Sequence, residues 1–309
     1  MQVTEYQKRN SSLLFLIAIL LLVFPGRMNS QVQPKLYIGM SGLNPQQEAY
    51  IKDNGLEKAI IFYQKEVTTD GSNLDVDMFT KNIMEKTSAD NTGIAIIDWE
   101  GPAMKAISGS NDSDAEAAIQ QFVKAVGTAK KLRPNLKWGF YGLPVRTFKG
   151  SNNDWKNINA RLSPIFTAVD IIAPSLYMYN VNPRVYNARS PILELGSGDY
   201  IYVNLDYALE MGKKYNKEVY PFIWQKRNSG NSNMAMSLIP VDIFKNYYKM
   251  IASRVSSGKR VNGIIWWDSQ KYFYLNRKKY PALQKEYSDV KDVDQYDLNT
   301  FKTYYNATK

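Results

Sequence analysis

Gly93-Ile94-Ala95-Ile96-Ile97-Asp98-Trp99-Glu100-Gly101-Pro102 is the stretch from which the fold of this chain follows. Ile94 to Ile97 are apolar at consecutive positions. A strand with one wet face alternates apolar and polar residues, whereas an unbroken run marks a strand covered on both faces, as in a parallel sheet flanked by helices. The run ends in two carboxylates, Asp98 and Glu100, and a Gly-Pro pair then stops the strand.

Similar runs recur on either side, at Leu36–Gly39, Ala59–Tyr63, Lys137–Tyr141, Val169–Ala173, Val219–Trp224 and Gly263–Trp267. Helical patterns separate most of them. Ile119, Phe122, Val123 and Val126 form one apolar stripe, and Ser113-Asp114-Ala115-Glu116 before it has the spacing of a capping box. Phe244, Tyr247, Ile251 and Val255 form a second stripe, and Leu205, Ala208, Leu209 and Gly212 a third. Strands alternating with helices predict an α/β fold. The number of runs favours a distorted TIM-like (β/α) barrel of about seven to eight parallel strands over a doubly wound sheet. Neither G-x-G-x-x-G nor G-x-x-x-x-G-K-[ST] occurs, so nucleotide binding has no motif to rest on.

Composition narrows the chemistry. The 309 residues include no His and no Cys, which excludes Ser-His-Asp triads, thiol nucleophiles, disulfides and imidazole or thiolate metal sites. Acid and base work falls to Asp, Glu, Tyr, Lys or Arg. The 39 Lys and Arg outnumber the 29 Asp and Glu, giving a formal charge of +10, and an anionic partner is expected.

The amino terminus reads as an export signal. Lys8 and Arg9 precede the apolar stretch from Leu13 to Phe24, which Pro25-Gly26 interrupts. That stretch is shorter than a comfortable membrane span and suits a signal peptide. The expected organisation is a signal peptide over 1–30, a catalytic β/α barrel over 31–284, and a polar C-terminal tail or peripheral helix over 285–309. The protein is expected outside the cell, with no stable membrane span once the signal is removed; a signal anchor is the alternative. Export argues against nucleic acid and for an anionic polysaccharide.

Asp98 and Glu100 are the candidate catalytic pair. Side chains two apart on a strand share a face about 6.5–7 Å apart, and at the C-terminal rim of a barrel strand that face opens into the mouth. Two neighbouring carboxylates do not both ionise cheaply, and a raised acid beside an ionised partner is what glycoside hydrolysis needs. Asp114 and Glu116 share the spacing but fall at a helix start, where acids favour the dipole. Other strands end in aromatics, at Tyr63, Tyr141, Tyr177, Trp224 and Trp267. These are either a platform for sugar rings or ordinary core packing; Trp224 and Trp266 read as core. Asp292, Asp294 and Asp297 lack the Gly turn and distal Glu of a calcium loop and read as solvated acids.

Four segments together resemble glycoside hydrolase family 56, the hyaluronidases. Ile96-Ile97-Asp98-Trp99-Glu100 resembles the family's catalytic strand. Trp138-Gly139-Phe140-Tyr141-Gly142-Leu143-Pro144 resembles the next strand, and Pro174-Ser175-Leu176-Tyr177 its P-S-[IV]-Y element. Gly263-Ile264-Ile265-Trp266-Trp267-Asp268-Ser269 resembles the late strand that supplies a Trp. The resemblance implies substrate-assisted, retaining hydrolysis without metal or cofactor. Glu100 would be the acid, and Asp98 would stay charged and accept the acetamido N–H. Tyr177 would orient that acetamide, while Tyr63 and Trp267 hold the sugar; Tyr141, as an aromatic strand end, is a further candidate for substrate binding.

The chain departs from the family in several places. Glu100-Gly101-Pro102 lacks the basic residue of the family's Glu-x-Trp-Arg-Pro, the disulfides are missing, and Arg227 stands where relatives carry Tyr. Arg227 is either a bidentate ligand for a uronate carboxylate or a solvated loop charge. The expected function is a secreted endo-β-N-acetylhexosaminidase acting on hyaluronan or chondroitin. A non-catalytic polysaccharide-binding protein and a lysozyme-like cell-wall hydrolase are the alternatives.

Overall fold

A computed structural model describes residues 33–148, 153–178, 200–228 and 235–309. The expected signal peptide over 1–30 lies outside them. The strands are β1 (Lys35–Ile38), β2 (Glu57–Lys58), β3 (Ile60–Tyr63), β4 (Gly93–Asp98), β5 (Leu136–Tyr141), β6 (Ile171–Ala173), β7 (Glu218–Val219), β8 (Phe222–Ile223) and β9 (Gly263–Trp266). The helices are α1 (Pro45–Asp53), α2 (Val76–Lys86), α3 (Gly101–Ser108), α4 (Asp112–Leu132), α5 (Asn153–Arg161), α6 (Ser163–Ala168), α7 (Tyr200–Lys214), α8 (Val241–Ser253), α9 (Gln270–Leu275), α10 (Pro281–Glu286) and α11 (Val293–Asn306).

All named strand pairs are parallel, as the unbroken apolar runs predict. The expectation of one barrel is met only in part. The ladder falls into a four-stranded sheet, β2-β1-β9-β8, and a five-stranded sheet, β3-β4-β5-β6-β7. The strand β2 precedes the expected run Ala59–Tyr63, which begins as β3 only at Ile60 after a break at Ala59, and the expected run Val219–Trp224 is split into β7 and β8 at Tyr220-Pro221. At the first break the Ala59 amide turns to the Ile38 carbonyl (3.0 Å). At the second, Pro221 has no N–H to offer the ladder, and its carbonyl accepts from Ile265 (2.9 Å).

Pleating divides the buried residues into two clusters. On β4, Ala95 and Ile97 join Trp99 in the layer packed beneath the helices, with Phe62, Phe79, Phe122, Trp138 and Phe140. Ile94 and Ile96 face the other way, with Ile61, Ile171, Ala173, Phe222 and Ile265. That second cluster continues upward into Tyr177 and Trp224. The strands at Gly139 approach closely: a Cβ there would lie 2.7 Å from the Ile171 carbonyl oxygen.

Two local expectations change. Helix α4 is capped by Asn111, whose side chain accepts from the Ser113 and Asp114 amides (3.0 and 3.3 Å), so Ser113 lies inside the helix and not at its cap. Asn caps as well as Ser, and the chain simply turns two residues earlier. Residues 285–309 are less polar in effect than their composition. In α11, Leu298, Phe301 and Tyr304 are buried, and Phe301 stacks on Trp266 with ring centroids 5.0 Å apart. Asp292 caps this helix through the Gln295 amide (3.0 Å), and Asp297 is buried where a solvated acid was expected. Among the described residues no helix is long and apolar enough to cross a membrane.

A terminal helix so seated is part of the core. Phe301→Ala is expected to lower unfolding stability by about 3–5 kcal/mol, read as the shift in urea midpoint. A change under about 0.5 kcal/mol would mean that α11 is peripheral.

Candidate active site

The C-terminal ends of the strands surround a cavity of about 520 Å³. Its position at that end is the one parallel β/α architectures use for sites. Asp98, at the end of β4, continues the inward phase of Ile94 and Ile96. Trp99 points the opposite way, fully buried, stacked on Phe122 at 5.0 Å, with its indole N–H donating to the Gly71 carbonyl (3.1 Å). Glu100 is still extended (φ −96°, ψ −152°) as the residue before α3, so it returns to Asp98's side. Gly101 then turns the chain at φ +67°, where a Cβ would sit 2.8 Å from Gln64 Oε1. The strand's pleat and this turn put both carboxylates into the cavity.

Aromatic rings wall the cavity. Tyr177 lies 5.9 Å from Tyr141, 5.6 Å from Trp224 and 5.8 Å from Trp267, centroid to centroid. Trp224 meets Trp267 edge-on at 5.2 Å and Phe273 at 5.3 Å. Burial raises the Tyr63 hydroxyl, and Ser41 and the Trp267 indole close to it oppose that rise; the Ser41 hydroxyl lies 2.9 Å from that of Ser269. Tyr141 shares a hydrogen bond with Ser175 (3.0 Å).

The electrostatics set the two acids apart. Burial and the Glu100 charge push Asp98 up to about 8, and its Oδ1 is buried with no hydrogen-bond partner. Burial also raises Glu100, but Arg146 opposes the shift, and Glu100 faces the open cavity, where solvent weakens the penalty. In the unliganded protein the pair's proton therefore resides on Asp98. That differs from the expectation that Asp98 stays charged, because Asp98 is the more deeply enclosed of the two. Burial raises the hydroxyls of Tyr141 and Tyr177, so both are neutral across the physiological range.

Of the residues singled out from sequence, Asp98, Glu100, Tyr63, Tyr141, Tyr177 and Trp267 line this one cavity. Trp224, read as core, is buried and lines it too. Arg227 does not line it. It is 4% exposed, and its guanidinium donates to the Ser237 hydroxyl (2.6 Å) and the Leu238 carbonyl (3.2 Å). A short antiparallel pairing, with Arg227 N–H to Ser237 (2.9 Å) and Met236 N–H to Arg227 (3.0 Å), holds it there. Arg227 is thus neither a uronate ligand nor a solvated loop charge. Sequence reading missed Arg146, Ser175, Asn228, Tyr272 and Tyr280. Arg146 had a usable signal, as the first cation beyond the C-terminal end of β5. Among the described residues no group of three or more Asp or Glu side chains is placed to hold a metal ion.

No family model and no curated protein matches the chain. Among solved structures, bee venom hyaluronidase is similar with a TM-score of 0.55 and 14% identity, over 82% of this chain and 100% of that one. The same bee enzyme in complex with a hyaluronic acid tetramer gives 0.56 and 12%, over 84% and 97%. An endoglucanase from Mycobacterium tuberculosis reaches only 0.40 at 12%, covering 77% of each chain. At these identities the likeness to the bee protein shows the fold alone: an α/β fold with parallel sheets, similar to TIM-barrel glycoside hydrolases.

Removing the Glu100 charge by Glu100→Gln should lower Asp98 from about 8, because the like-charge repulsion disappears. It should stay above the ordinary carboxylate range, because the burial persists. Carboxyl ¹³C titration reads this directly, and an unmoved Asp98 would show that the two acids are not coupled.

Proposed function

We propose that this chain is an exported glycoside hydrolase, similar to hyaluronidases. It would cleave β-1,4 N-acetylhexosaminide bonds of an acidic glycosaminoglycan such as hyaluronan or chondroitin, with retention. The observation that carries the reading is the Asp98 carboxylate. Its Oδ1 is a buried acceptor with no partner, set beside Glu100 in an aromatic-walled cavity. The signal peptide expected from the sequence over 1–30 supports export, and the fold supports a glycosidase in general terms.

An acetamido N–H donated to Asp98 Oδ1 favours the ionised form of Asp98, so the shared proton passes to Glu100. Glu100 then gives that proton to the glycosidic oxygen as the C1–O bond breaks. The carbonyl oxygen of the substrate's own acetamide attacks C1 from the other face, and the oxazolinium that forms is balanced by ionised Asp98. Water next attacks C1 as Glu100 takes its proton, which restores the acetamide and the original configuration. Tyr177, neutral and adjacent to the acids, orients the acetamide. Tyr63, Tyr141 and Trp267 hold and stack the sugar ring.

Glu100→Gln should reduce release of reducing ends from hyaluronan or chondroitin by about 10²–10⁴-fold without lowering the melting temperature. Full activity in the variant would refute the assignment of the acid. Polymer binding by the wild type without any cleavage would favour a non-catalytic binding protein. Clearing of bacterial walls with no action on either polymer would favour a lysozyme-like substrate.

The pH profile has a definite sign. The productive pair carries one proton, and the last proton leaves near the value of about 8 found for Asp98. Activity should fall above that pH by about tenfold per unit. A rate still level at pH 10 would exclude the pair as the proton source.

A further inference from the structure

The geometry points to Arg146 as the residue that recognises the acidic group of the substrate, binding the carboxylate of a uronate unit next to the bond that is cut. This rests on the reading of the cavity as a glycan site. Among the described residues Arg146 is the one Lys or Arg that lines the cavity, so a sugar carboxylate entering there meets a single guanidinium.

The chain is built to hold Arg146 in place. The residue before it, Val145, has both backbone groups taken by one side chain: Asn159 Oδ1 accepts the amide (2.8 Å) and Nδ2 donates to the carbonyl (2.9 Å). The residue after it, Thr147, is held in the same way by Asn204, at 2.9 Å for both bonds. Asn159 and Asn204 are buried and reach the loop from α5 and α7. A fifth bond to the segment comes from the Trp155 indole, which donates to the Val145 carbonyl (2.5 Å). A loop of three residues clamped on both sides by buried amides presents its middle side chain in a fixed direction, and that lowers the ordering cost of binding.

The guanidinium is oriented as well. Its Nη1 donates to the Ser175 hydroxyl (2.8 Å), which in turn meets Tyr141, and its charge lies 5.4 Å over the Phe148 ring. A planar fork held this way offers the two-point contact that suits a carboxylate, which a lysine ammonium does not reproduce. Glu100 feels the Arg146 charge, which places the guanidinium within electrostatic reach of the reacting end of the cavity.

The test compares two oligosaccharide ladders that share N-acetylhexosamine: hyaluronan fragments, which carry uronate, and chitin fragments, which carry no charge. In Arg146→Met, the ratio of kcat/KM for the acidic over the neutral ladder should fall by at least about tenfold, mostly through KM. The salt dependence of the acidic reaction should flatten. Arg146→Lys should recover part of the salt dependence and little of the ratio. Binding is read by calorimetry in parallel, in Glu100→Gln protein with and without the Arg146 change, so the preference is scored even if the wild type cuts neither ladder. Loss of the acidic preference in binding, without cleavage by the wild type, would sustain Arg146 and refute the hydrolase. A ratio unchanged within twofold in both Arg146 variants, or wild-type protein that binds neither ladder, would overturn the proposal. Matched melting temperatures exclude misfolding as the cause.

Discussion

Trp99 is the fixed point around which the carboxylate pair is arranged. Its indole lies nearly parallel to Phe122, at 7°, and its N–H is satisfied by the Gly71 carbonyl. Gly71 is itself packed so closely that a Cβ would meet Pro102 Cδ at 2.9 Å. Successive side chains on extended backbone point to opposite faces, so a tryptophan locked under α4 forces its two neighbours toward the cavity. The acids therefore sit on backbone that has little freedom to turn away. Such preorganisation matters because a carboxylate that must reorient during reaction loses much of its electrostatic advantage.

The aromatic wall depends on a second constraint, behind it. Asp268 is wholly buried and accepts from the Trp224 indole (3.0 Å), the Gln225 amide and the Ser269 amide (2.8 Å). Gln225 in turn receives the Trp266 indole (2.7 Å). Lys226 reaches both oxygens of Glu286 at 2.5 Å, which ties α10 to this layer. One cation thus stands among three acids that burial shifts upward, Asp268, Glu286 and Asp297, the last to about 7. Buried ionic groups add little net stability and are costly to break singly. Here they fix the direction of Trp224, which touches Tyr177 and Trp267. Trp224 is both core and cavity wall for that reason.

The parallel strands were legible in the sequence because a strand covered on both faces leaves an unbroken apolar run. The inward aim of Asp98 and Glu100 followed from the same pleat, and Tyr63, Tyr141 and Trp267 were legible as aromatics at strand ends. What was not legible depends on contacts between distant residues. The interruptions at Ala59 and Pro221 are set by which strand each carbonyl meets. Asn111 and Ser113 are equally good caps, and the turn decides between them. Leu298, Phe301 and Tyr304 looked diluted by polar neighbours until Trp266 and Phe244 covered them. Arg146 and Arg227 both follow a strand end as basic residues. Asn159 and Asn204 hold one in the cavity, and Ser237 and Leu238 hold the other out of it.

The basic character of the chain acquires a different meaning from this placement. Many lysines outside the cavity are already matched, as in Lys86 with Glu66 (2.7 Å), Lys130 with Asp170 (2.6 Å) and Lys137 with Glu218 (2.7 Å). Surface charges act over about 8 Å at physiological salt, so the excess of +10 hastens encounter with any polyanion and distinguishes poorly among them. Discrimination needs a cation with a fixed direction and limited access to water, and Arg146 has both. Its position also couples recognition to chemistry. Its charge beside Glu100 favours the ionised carboxylate and holds down the proton affinity of the acid. A sugar carboxylate paired with the guanidinium offsets that charge, and the proton affinity of Glu100 rises. The same contact that selects an acidic sugar thus adds to the proton transfer that the acetamide sets up at Asp98, whereas a neutral N-acetylated sugar relies on the acetamide alone.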